Sequence, residues 1–352
     1  MFMIHSKDIS IIVQGPITSS STFDLNQGGT KEVLSNIRNI FPDSEIILST
    51  WEGSDIDFLS FDRVIFNKDP GATVYSVNNN NYNVNRQIVS TLSGLKLASR
   101  PYAIKTRTDV TFSNKNFIKY FYKFTKRSKD FAFLENRVIV SNYTTVNPKR
   151  ILPFPFHICD WLYFGLTSDL ISIWNIKLCT EDEARWFEEH LKPLNHPFES
   201  FLSRYQAEQF IWYSFVRKYI TINLDNCCDL SEYNLAVSEH IIANNIIILS
   251  CRQLGINSFK YPDINHSHAH LYQMYSYVEW IHLYNRYCKD CIFSMFDFDL
   301  LICESYFFDG FLSKAHQESS TSTFNLIRFL WRELKTYLKR NLISFGSSRL
   351  GR

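Results

Sequence analysis

The chain has 352 residues, a length that suits one large α/β domain or two modest ones. Hydrophobic residues make up 45% of it and charged residues 20%, which excludes a disordered tail, a collagen-like chain and a coiled coil. The formal net charge of +2 gives no indication of a nucleic-acid partner.

The N-terminal residues predict neither export nor a membrane span. Their apolar run, residues 9–13, is too short for a secretory signal, and Asp8 precedes it. No window approaches the roughly 18 consecutive apolar residues that a transmembrane helix needs. The eight cysteines are therefore expected to be reduced thiols in the cytoplasm.

The first third of the chain alternates strand and helix patterns. Apolar runs predict strands at residues 8–13, 45–50, 63–66 and 102–110. Helical spacing of apolar residues predicts one helix from Thr30 to Pro42 and another from Asn85. This alternation indicates an α/β fold with a mostly parallel central sheet flanked by helices.

The second half of the chain is less regular. Strands are predicted at residues 160–165 and 245–251. Helices are predicted through Trp174 and over residues 181–191, 199–219 and 275–287.

Polar residues follow the four N-terminal strands, where a parallel sheet binds its ligands. We therefore expect one edge of the sheet to bring together Gln14, Gly15, Pro16, Thr50, Trp51, Glu52, Asn67, Lys68, Asp69, Arg107, Thr108 and Asp109.

Three charged residues, Lys105, Arg107 and Asp109, are spaced by two along the fourth strand and are expected to share one side of it. Burying charges is costly unless they pair or meet a ligand, so the pattern fits a structural salt-bridge ladder or a phosphate site. In a phosphate site, Asp109 holds a divalent cation against a diphosphate, or the two basic side chains neutralise the diphosphate directly. Arg86, next to Asn85 at a helix N-terminus, adds a positive charge. The patterns GxxxxGK[ST] and GxGxxG are absent, which argues against P-loop kinases and dinucleotide-binding dehydrogenases.

Two carboxylates are candidate general bases. Glu208 lies on the predicted helix 199–219, where it belongs to a solvated face or points into the cleft as a base. Asp160, just before an aromatic strand, is the competing candidate.

Histidine and cysteine patterns offer weaker metal signals. His266 begins a run of three histidines at period two, which fits a metal site or a surface loop, and one of them could complete coordination begun by Asp109. The CxxC pattern at 288–291 lacks the second half of a zinc knuckle, which the adjacent cysteines 227–228 do not supply.

Five segments together resemble the WavE lipopolysaccharide synthesis family: residues 11–16, 45–53, 69–71, 85–88 and 105–109. The resemblance is strongest over residues 8–110 and continues through residues 160–165 and 208–209. It implies a GT-A-like, Rossmann-like glycosyltransferase of lipopolysaccharide core or O-antigen assembly that uses a nucleotide-sugar donor.

The resemblance also implies roles for the site residues. Those that would bind the donor are Gln14, Gly15, Pro16, Thr50, Trp51, Glu52, Asn85, Arg86, Lys105 and Arg107. Asp109, Glu208 and Asp160 are the candidate catalytic residues. Asp109 stands where an Asp-x-Asp motif ends, but position 107 is Arg instead of Asp. Either Asp109 binds Mg²⁺ or Mn²⁺ with help from a later residue such as His266, or Arg107 and Lys105 replace the metal.

The same resemblance suggests how the chain is divided and where it works. Residues 1–112 would hold the donor and residues 113–315 the acceptor, a lipid-linked oligosaccharide. Residues 320–345 carry apolar residues at helical spacing flanked by Lys and Arg, which predicts a basic amphipathic helix. That helix either lies on the cytoplasmic face of the inner membrane or docks on the body of the protein. Two rival functions are a phosphotransferase that moves a sugar phosphate or alditol phosphate from a nucleotide carrier, and a non-catalytic assembly protein.

Overall fold

A computed structural model describes residues 4–18, 28–75, 80–261 and 273–289, all within one compact unit, Met1–Phe293. The strands in chain order are β1 (Ile9–Gln14), β2 (Glu45–Trp51), β3 (Arg63–Asn67), β4 (Thr73–Val74), β5 (Asn81–Tyr82), β6 (Tyr102–Arg107), β7 (Val110–Phe112), β8 (Val138–Ser141), β9 (Tyr163–Leu166), β10 (Ile246–Leu249) and β11 (Ile256–Ser258). The α-helices are α1 (Thr30–Ile40), α2 (Val84–Leu97), α3 (Thr167–Trp174), α4 (Glu181–Ala184), α5 (Trp186–Glu189), α6 (Ala207–Val216), α7 (Glu232–Asn245), α8 (Cys251–Leu254) and α9 (Tyr277–Cys288).

The central sheet has seven strands in the order β10-β8-β9-β6-β1-β2-β3. Strand β9 is antiparallel to both of its neighbours, and every other pairing in this sheet is parallel. The predicted α/β fold with a mostly parallel sheet flanked by helices is therefore confirmed.

Helices cover the sheet because its central strands are apolar on both faces. Every residue of β1 is buried. Helix α2 packs on β1, β2 and β3, while α3 packs on β6 and β9 and contacts α6. The approach of α2 is close at Gly94, where an added Cβ would lie 2.5 Å from Cγ2 of Ile12. A glycine is therefore required at this crossing.

Several predicted elements are shorter in the structure. The predicted strand 102–110 ends at Arg107, and residues 110–112 form the separate strand β7, which pairs with β11. The predicted strand 160–165 begins only at Tyr163, and the predicted helix 181–191 is split at Arg185 into α4 and α5. Strand β8 and helix α7 were not predicted.

The predicted helix 199–219 is wrong at its N-terminal end, because α6 begins at Ala207. Gln209 explains the late start. Its Oε1 accepts a hydrogen bond from the Gln206 backbone N–H at 3.2 Å, which occupies a donor that the helix leaves free. Its Nε2 donates to the carbonyls of Pro155 and Cys227. Glu208 is consequently a first-turn residue and not part of a long solvated face.

Some predictions fall outside the described residues. They are the basic helix 320–345, the histidine run that begins at His266, and the second cysteine of the CxxC pattern. Among the helices of the described ranges, none combines the length and the apolar character needed to cross a membrane.

Candidate active site at the carboxyl edge of the sheet

Backbone hydrogen bonds join the carboxyl end of β1 to β6 on one side and to β2 on the other. The Thr108 N–H donates to the Gln14 carbonyl at 3.2 Å, and the Gly15 N–H donates to the Ser49 carbonyl at 3.1 Å. Gly15 has φ +128°, and a Cβ there would lie 3.1 Å from Oγ1 of Thr108. This conformation favours glycine, which lets the turn after β1 lie against the turn after β6.

The antiparallel direction of β9 explains why Asp160 reaches the same edge. Its register pairs Lys105 with Tyr163, so the residues preceding β9 lie beside the carboxyl end of β6. The Lys105 ammonium donates a hydrogen bond to the Asp160 carbonyl. Asp160 is 2% exposed, and its carboxylate makes no hydrogen bond or ion pair with the residues that the structure describes. Within the part of the chain that the structure describes, this edge thus carries a buried carboxylate without a partner.

Arg107 and Asp109 form an ion pair at this edge. Nε of Arg107 donates to Oδ1 of Asp109 at 2.9 Å, and Nη2 donates to Oδ2 at 2.7 Å. The guanidinium lies over the Trp161 ring, 4.7 Å from its centroid. Burial lowers the pKa of Arg107, but the Asp109 carboxylate outweighs burial and raises this pKa above its ordinary value. Within the described residues Nη1 has no hydrogen-bond partner, so Arg107 keeps donors for a ligand.

Lys105 has a different role from Arg107. Its side chain is fully buried, and Nζ lies 5.0 Å from the centroid of the Trp174 ring. Burial lowers the pKa of Lys105 to about 8, despite the opposing charge of Asp160. Among the described residues no carboxylate lies within ion-pair distance of Lys105. The three charged side chains therefore do not form a continuous salt-bridge ladder.

Glu208 enters the site from the first turn of α6. Its Oε2 lies 3.6 Å from Nε2 of His157, and its side chain is 19% exposed. Burial raises the pKa of Glu208, and so does the charge of Asp160, whereas His157 and Arg107 act in the opposite direction. These interactions place Glu208 in the same electrostatic environment as Asp160 and Arg107. A carboxyl group with a raised pKa is suited to accepting a proton near neutral pH.

The position of His157 depends on two nearby residues whose backbone has a positive φ angle. Its Nδ1 lies 2.7 Å from the Thr144 carbonyl, so Nδ1 carries a proton and donates it to that oxygen, while Nε2 is directed towards Glu208. Phe156 and Thr144 have φ values of +61° and +69°. Such conformations cost on the order of 1–3 kcal/mol each for residues other than glycine and are concentrated at functional sites. Two strained residues thus position one imidazole.

Several predicted donor-binding residues lie at or near the strand ends, where two of them make hydrogen bonds to other side chains. Gln14 is buried and accepts a hydrogen bond from Ser90 of α2. Arg86 donates twice to Asp69, at 2.8 and 2.6 Å, and this hydrogen bonding raises the pKa of Arg86. Pro16, Trp51 and Glu52 are exposed or half-buried at the strand ends.

Two predicted residues are directed into the fold instead. Asn85 uses both ends of its amide on the backbone of Cys179, at 3.0 and 2.8 Å. Thr50 is buried, with Oγ1 lying 3.2 Å from the Ser54 hydroxyl. Asn85 therefore connects α2 to the segment before α4. Among the described residues, the side chains of Asn85 and Thr50 make no hydrogen bond to Arg107 or Asp109.

The Asp109 carboxylate is occupied by Arg107 and has no cluster of further metal ligands beside it in the described residues. Both of its carboxylate oxygens accept hydrogen bonds from Arg107. No set of three His, Cys, Asp or Glu ligand atoms gathers around Asp109 in the described ranges. His266 lies outside those ranges, so the Mg²⁺ or Mn²⁺ expected from the resemblance stays a prediction.

Sequence reasoning missed His157 and Trp161. Trp161 directly follows Asp160, and its ring lies beneath the Arg107 guanidinium because β9 runs antiparallel to β6, which the sequence pattern does not reveal. His157 stands between apolar residues in a segment that is neither helix nor strand. No periodic pattern marks such a residue, because its orientation depends on the φ of Phe156.

The fold is that of an α/β protein with a cluster of charged side chains at the carboxyl ends of a mostly parallel sheet, the edge where such sheets commonly bind ligands. A family model described as WavE lipopolysaccharide synthesis matches residues 9–300, and the chain belongs to that family. A search of curated proteins finds no match.

One similar solved structure is that of 4-diphosphocytidyl-2C-methyl-D-erythritol synthase from Anaerococcus prevotii DSM 20548. It is 9% identical, covers 66% of this chain and 95% of its own chain, and has a TM-score of 0.31.

Proposed function

We propose that this chain is a glycosyltransferase that transfers a sugar, a hexose or a related residue, from a nucleotide-sugar donor to a growing lipid-linked oligosaccharide. The observation that supports the proposal most strongly is the group of charged residues at one edge of the sheet. Arg107 forms an ion pair with Asp109 there and interacts electrostatically with Glu208 and Asp160. Such a site offers a cation for a leaving diphosphate and a base for an acceptor hydroxyl. Membership of the lipopolysaccharide synthesis family supports the choice of substrates.

Donor binding rests on Arg107. A planar guanidinium recognises phosphate oxygens with two parallel hydrogen bonds, and Arg107 retains its Nη1 donors for that purpose. Asp109 and Trp161 fix the plane of the guanidinium before the ligand arrives. Lys105, buried two residues before Arg107 in the same strand, adds a second positive charge. Together they stabilise the negative charge that develops on the departing nucleotide.

Glu208 accepts the acceptor's proton in this proposal. The acceptor hydroxyl oxygen forms a bond to the anomeric carbon, the bond from that carbon to the phosphate oxygen breaks, and its electron pair leaves with the nucleotide. The hydroxyl proton passes to the Glu208 carboxylate. This describes an inverting transfer, in which base and leaving group lie on opposite sides of the sugar. Asp160 is the alternative base, since its buried carboxylate is unpaired within the described residues.

Product mass tests the reaction directly. The full chain is incubated with isolated lipopolysaccharide acceptor and a panel of UDP-, GDP-, dTDP- and CMP-linked sugars. The proposal expects the acceptor to gain the mass of one sugar while free nucleotide appears in equal amount. A gain of one sugar phosphate would identify a phosphotransferase instead. No product with any donor would favour the non-catalytic assembly protein.

We further propose that the chain works on the cytoplasmic face of the inner membrane, which its predicted basic helix 320–345 contacts. Lys and Arg beside an apolar stripe suit an anionic lipid surface. The test is flotation of the full chain with vesicles of anionic or neutral phospholipid. Replacing Arg328, Arg332 and Lys335 by Glu should abolish binding to the anionic vesicles. Replacing the exposed Lys7, Lys31 and Lys96 by Glu is the matched control. Equal binding by both variants would contradict this role.

A further inference from the structure

A cluster of metal-ligating side chains lies outside the charged edge. One ring nitrogen of His196 and the sulfur atoms of Cys227 and Cys228 all lie within 4.8 Å of one another. Both cysteines are buried and neither forms a disulfide. Nothing in the proposed transfer reaction uses these three residues. From this cluster we propose a binding site for a soft divalent cation, with Zn²⁺ as the expected ion.

The sulfur geometry fits one zinc ion. Sγ of Cys227 lies 3.6 Å from Sγ of Cys228. Two thiolates that each lie about 2.3 Å from a tetrahedral Zn²⁺ are about 3.8 Å apart, close to the separation found here. The two sulfur atoms therefore already stand at the separation that a shared ion requires. Zinc commonly combines Cys and His ligands in this way.

The imidazole supplies the third ligand. Nε2 of His196 is buried and has no hydrogen-bond partner. Nδ1 accepts a hydrogen bond from the Phe198 N–H at 3.2 Å. Coordination through Nε2 moves the ring proton to Nδ1, so the Phe198 N–H must turn to solvent. Phe198 is 38% exposed, which leaves room for that change.

Charge at the cluster is compatible with a bound cation. Each cysteine releases its thiol proton on binding, so two thiolates and a neutral imidazole balance the charge of Zn²⁺. Lys192 interacts electrostatically with both cysteines and donates to the carbonyls of Phe198 and Glu199. A neutral metal complex removes the repulsion that a bare cation would have with this ammonium. A water molecule would be the fourth ligand of a tetrahedral ion held by these three residues.

The location gives the ion a structural role. Residues 190–206 and 217–231 contain no helix or strand, and the cluster joins these two segments. The Cys227 carbonyl accepts a hydrogen bond from Gln209 at 3.0 Å, and Gln209 follows Glu208 in the first turn of α6. A metal at Cys227 and Cys228 would therefore stabilise the start of the helix that carries Glu208.

Metal content of the full chain is the first test. The protein is purified without chelator from medium that contains Zn²⁺, and bound metals are measured by inductively coupled plasma mass spectrometry. About one tightly held Zn²⁺ per chain is expected at this cluster. After chelation, added Co²⁺ should give the near-ultraviolet charge-transfer absorption of a thiolate complex. Absence of both signals overturns the proposal without any variant.

Variants then assign the metal to these residues. Cys228→Ser and His196→Asn should each lose the Zn²⁺ and weaken or abolish the Co²⁺ thiolate absorption. Cys251→Ser, which replaces a buried thiol beside Ser141, is the matched control and should keep the metal. A chain with the histidines at 266, 268 and 270 changed to Asn should keep it too. Retention by Cys228→Ser and His196→Asn would overturn the proposal, as would loss only from the triple histidine variant.

Discussion

Nε2 of His157 lies 3.6 Å from Oε2 of Glu208, while Nδ1 of the same ring is fixed on the Thr144 carbonyl. The imidazole is thereby oriented by its backbone contact and not by Glu208. It presents one nitrogen to a carboxyl group that burial makes harder to ionise. In the proposed reaction, His157 is therefore the nearest partner of the group that takes the acceptor's proton.

Glu208→Gln separates catalysis from stability. If Glu208 is the base, transfer should fall by about 10²–10⁴-fold. Because the pKa of Glu208 is raised in the folded chain, its contribution to the free energy of unfolding is lost as pH rises through that pKa. Glutamine does not ionise, so the variant does not lose stability as pH rises in this way. Its melting temperature should therefore equal or exceed that of the wild type at pH 7. Unchanged turnover would remove Glu208 from the mechanism, and Glu199→Gln at an exposed position is the control.

His157→Gln should act through the pKa of Glu208. The histidine lowers that pKa, so its removal should raise the pKa further. The acid limb of the pH dependence of kcat should therefore move to higher pH, with the largest loss of rate on that limb. The measurement is a pH–rate profile of both proteins at saturating donor. A uniform loss at every pH would indicate a structural role alone.

Asp109→Asn should impair transfer by disturbing Arg107. An amide offers only one acceptor oxygen, so one of the two hydrogen bonds to the guanidinium is lost. Since the Arg107 side chain is 22% exposed, its charge is then left poorly compensated. We expect transfer to fall by about 100-fold or more, with a lower melting temperature and an unchanged circular dichroism spectrum. Turnover near the wild-type rate would exclude this role for Asp109.

Lys105→Met tests whether the buried ammonium group makes the stability of the protein depend on pH. The pKa of Lys105 is about 8 in the folded chain against an ordinary value of 10.5. Between these two values the unfolded chain binds more protons at this site than the folded chain, so the wild type gains stability as pH rises. The wild-type free energy of unfolding relative to the variant should therefore increase between pH 8 and 10.5. Urea unfolding at several pH values measures it. Parallel curves would contradict the buried, low-pKa assignment, and Lys96→Met at an exposed position is the control.

The sequence predicted the half of the sheet whose strands are continuous apolar runs. Strands β1, β2 and β3 agree with their apolar patterns to within one residue, and Arg107 and Asp109 meet at the predicted edge. Parallel strands end on the same side, so the chain order of those strands was enough to place their turns together.

The other half of the site depends on relationships that no local pattern contains. Asp160 reaches the edge because β9 runs antiparallel, and strand direction is not encoded in its four residues. Glu208 faces His157 because α6 begins at Ala207, a start fixed by side-chain contacts with distant backbone. Phe156 adopts a left-handed conformation that tertiary packing imposes on a bulky residue.

Calorimetric titration of the full chain with UDP, GDP, CMP, dTDP and CDP, each with and without Mn²⁺, tests the central claim most directly. The account predicts that one nucleotide binds the wild type and that Arg107→Lys weakens this binding by about tenfold or more, because lysine cannot reproduce the planar pair of hydrogen bonds. Arg38→Lys makes the same change in the ion pair with Asp62, far from the carboxyl edge, and should bind as the wild type does. If no nucleotide binds, or if Arg107→Lys binds as tightly as the wild type, the charged cluster is not the donor site.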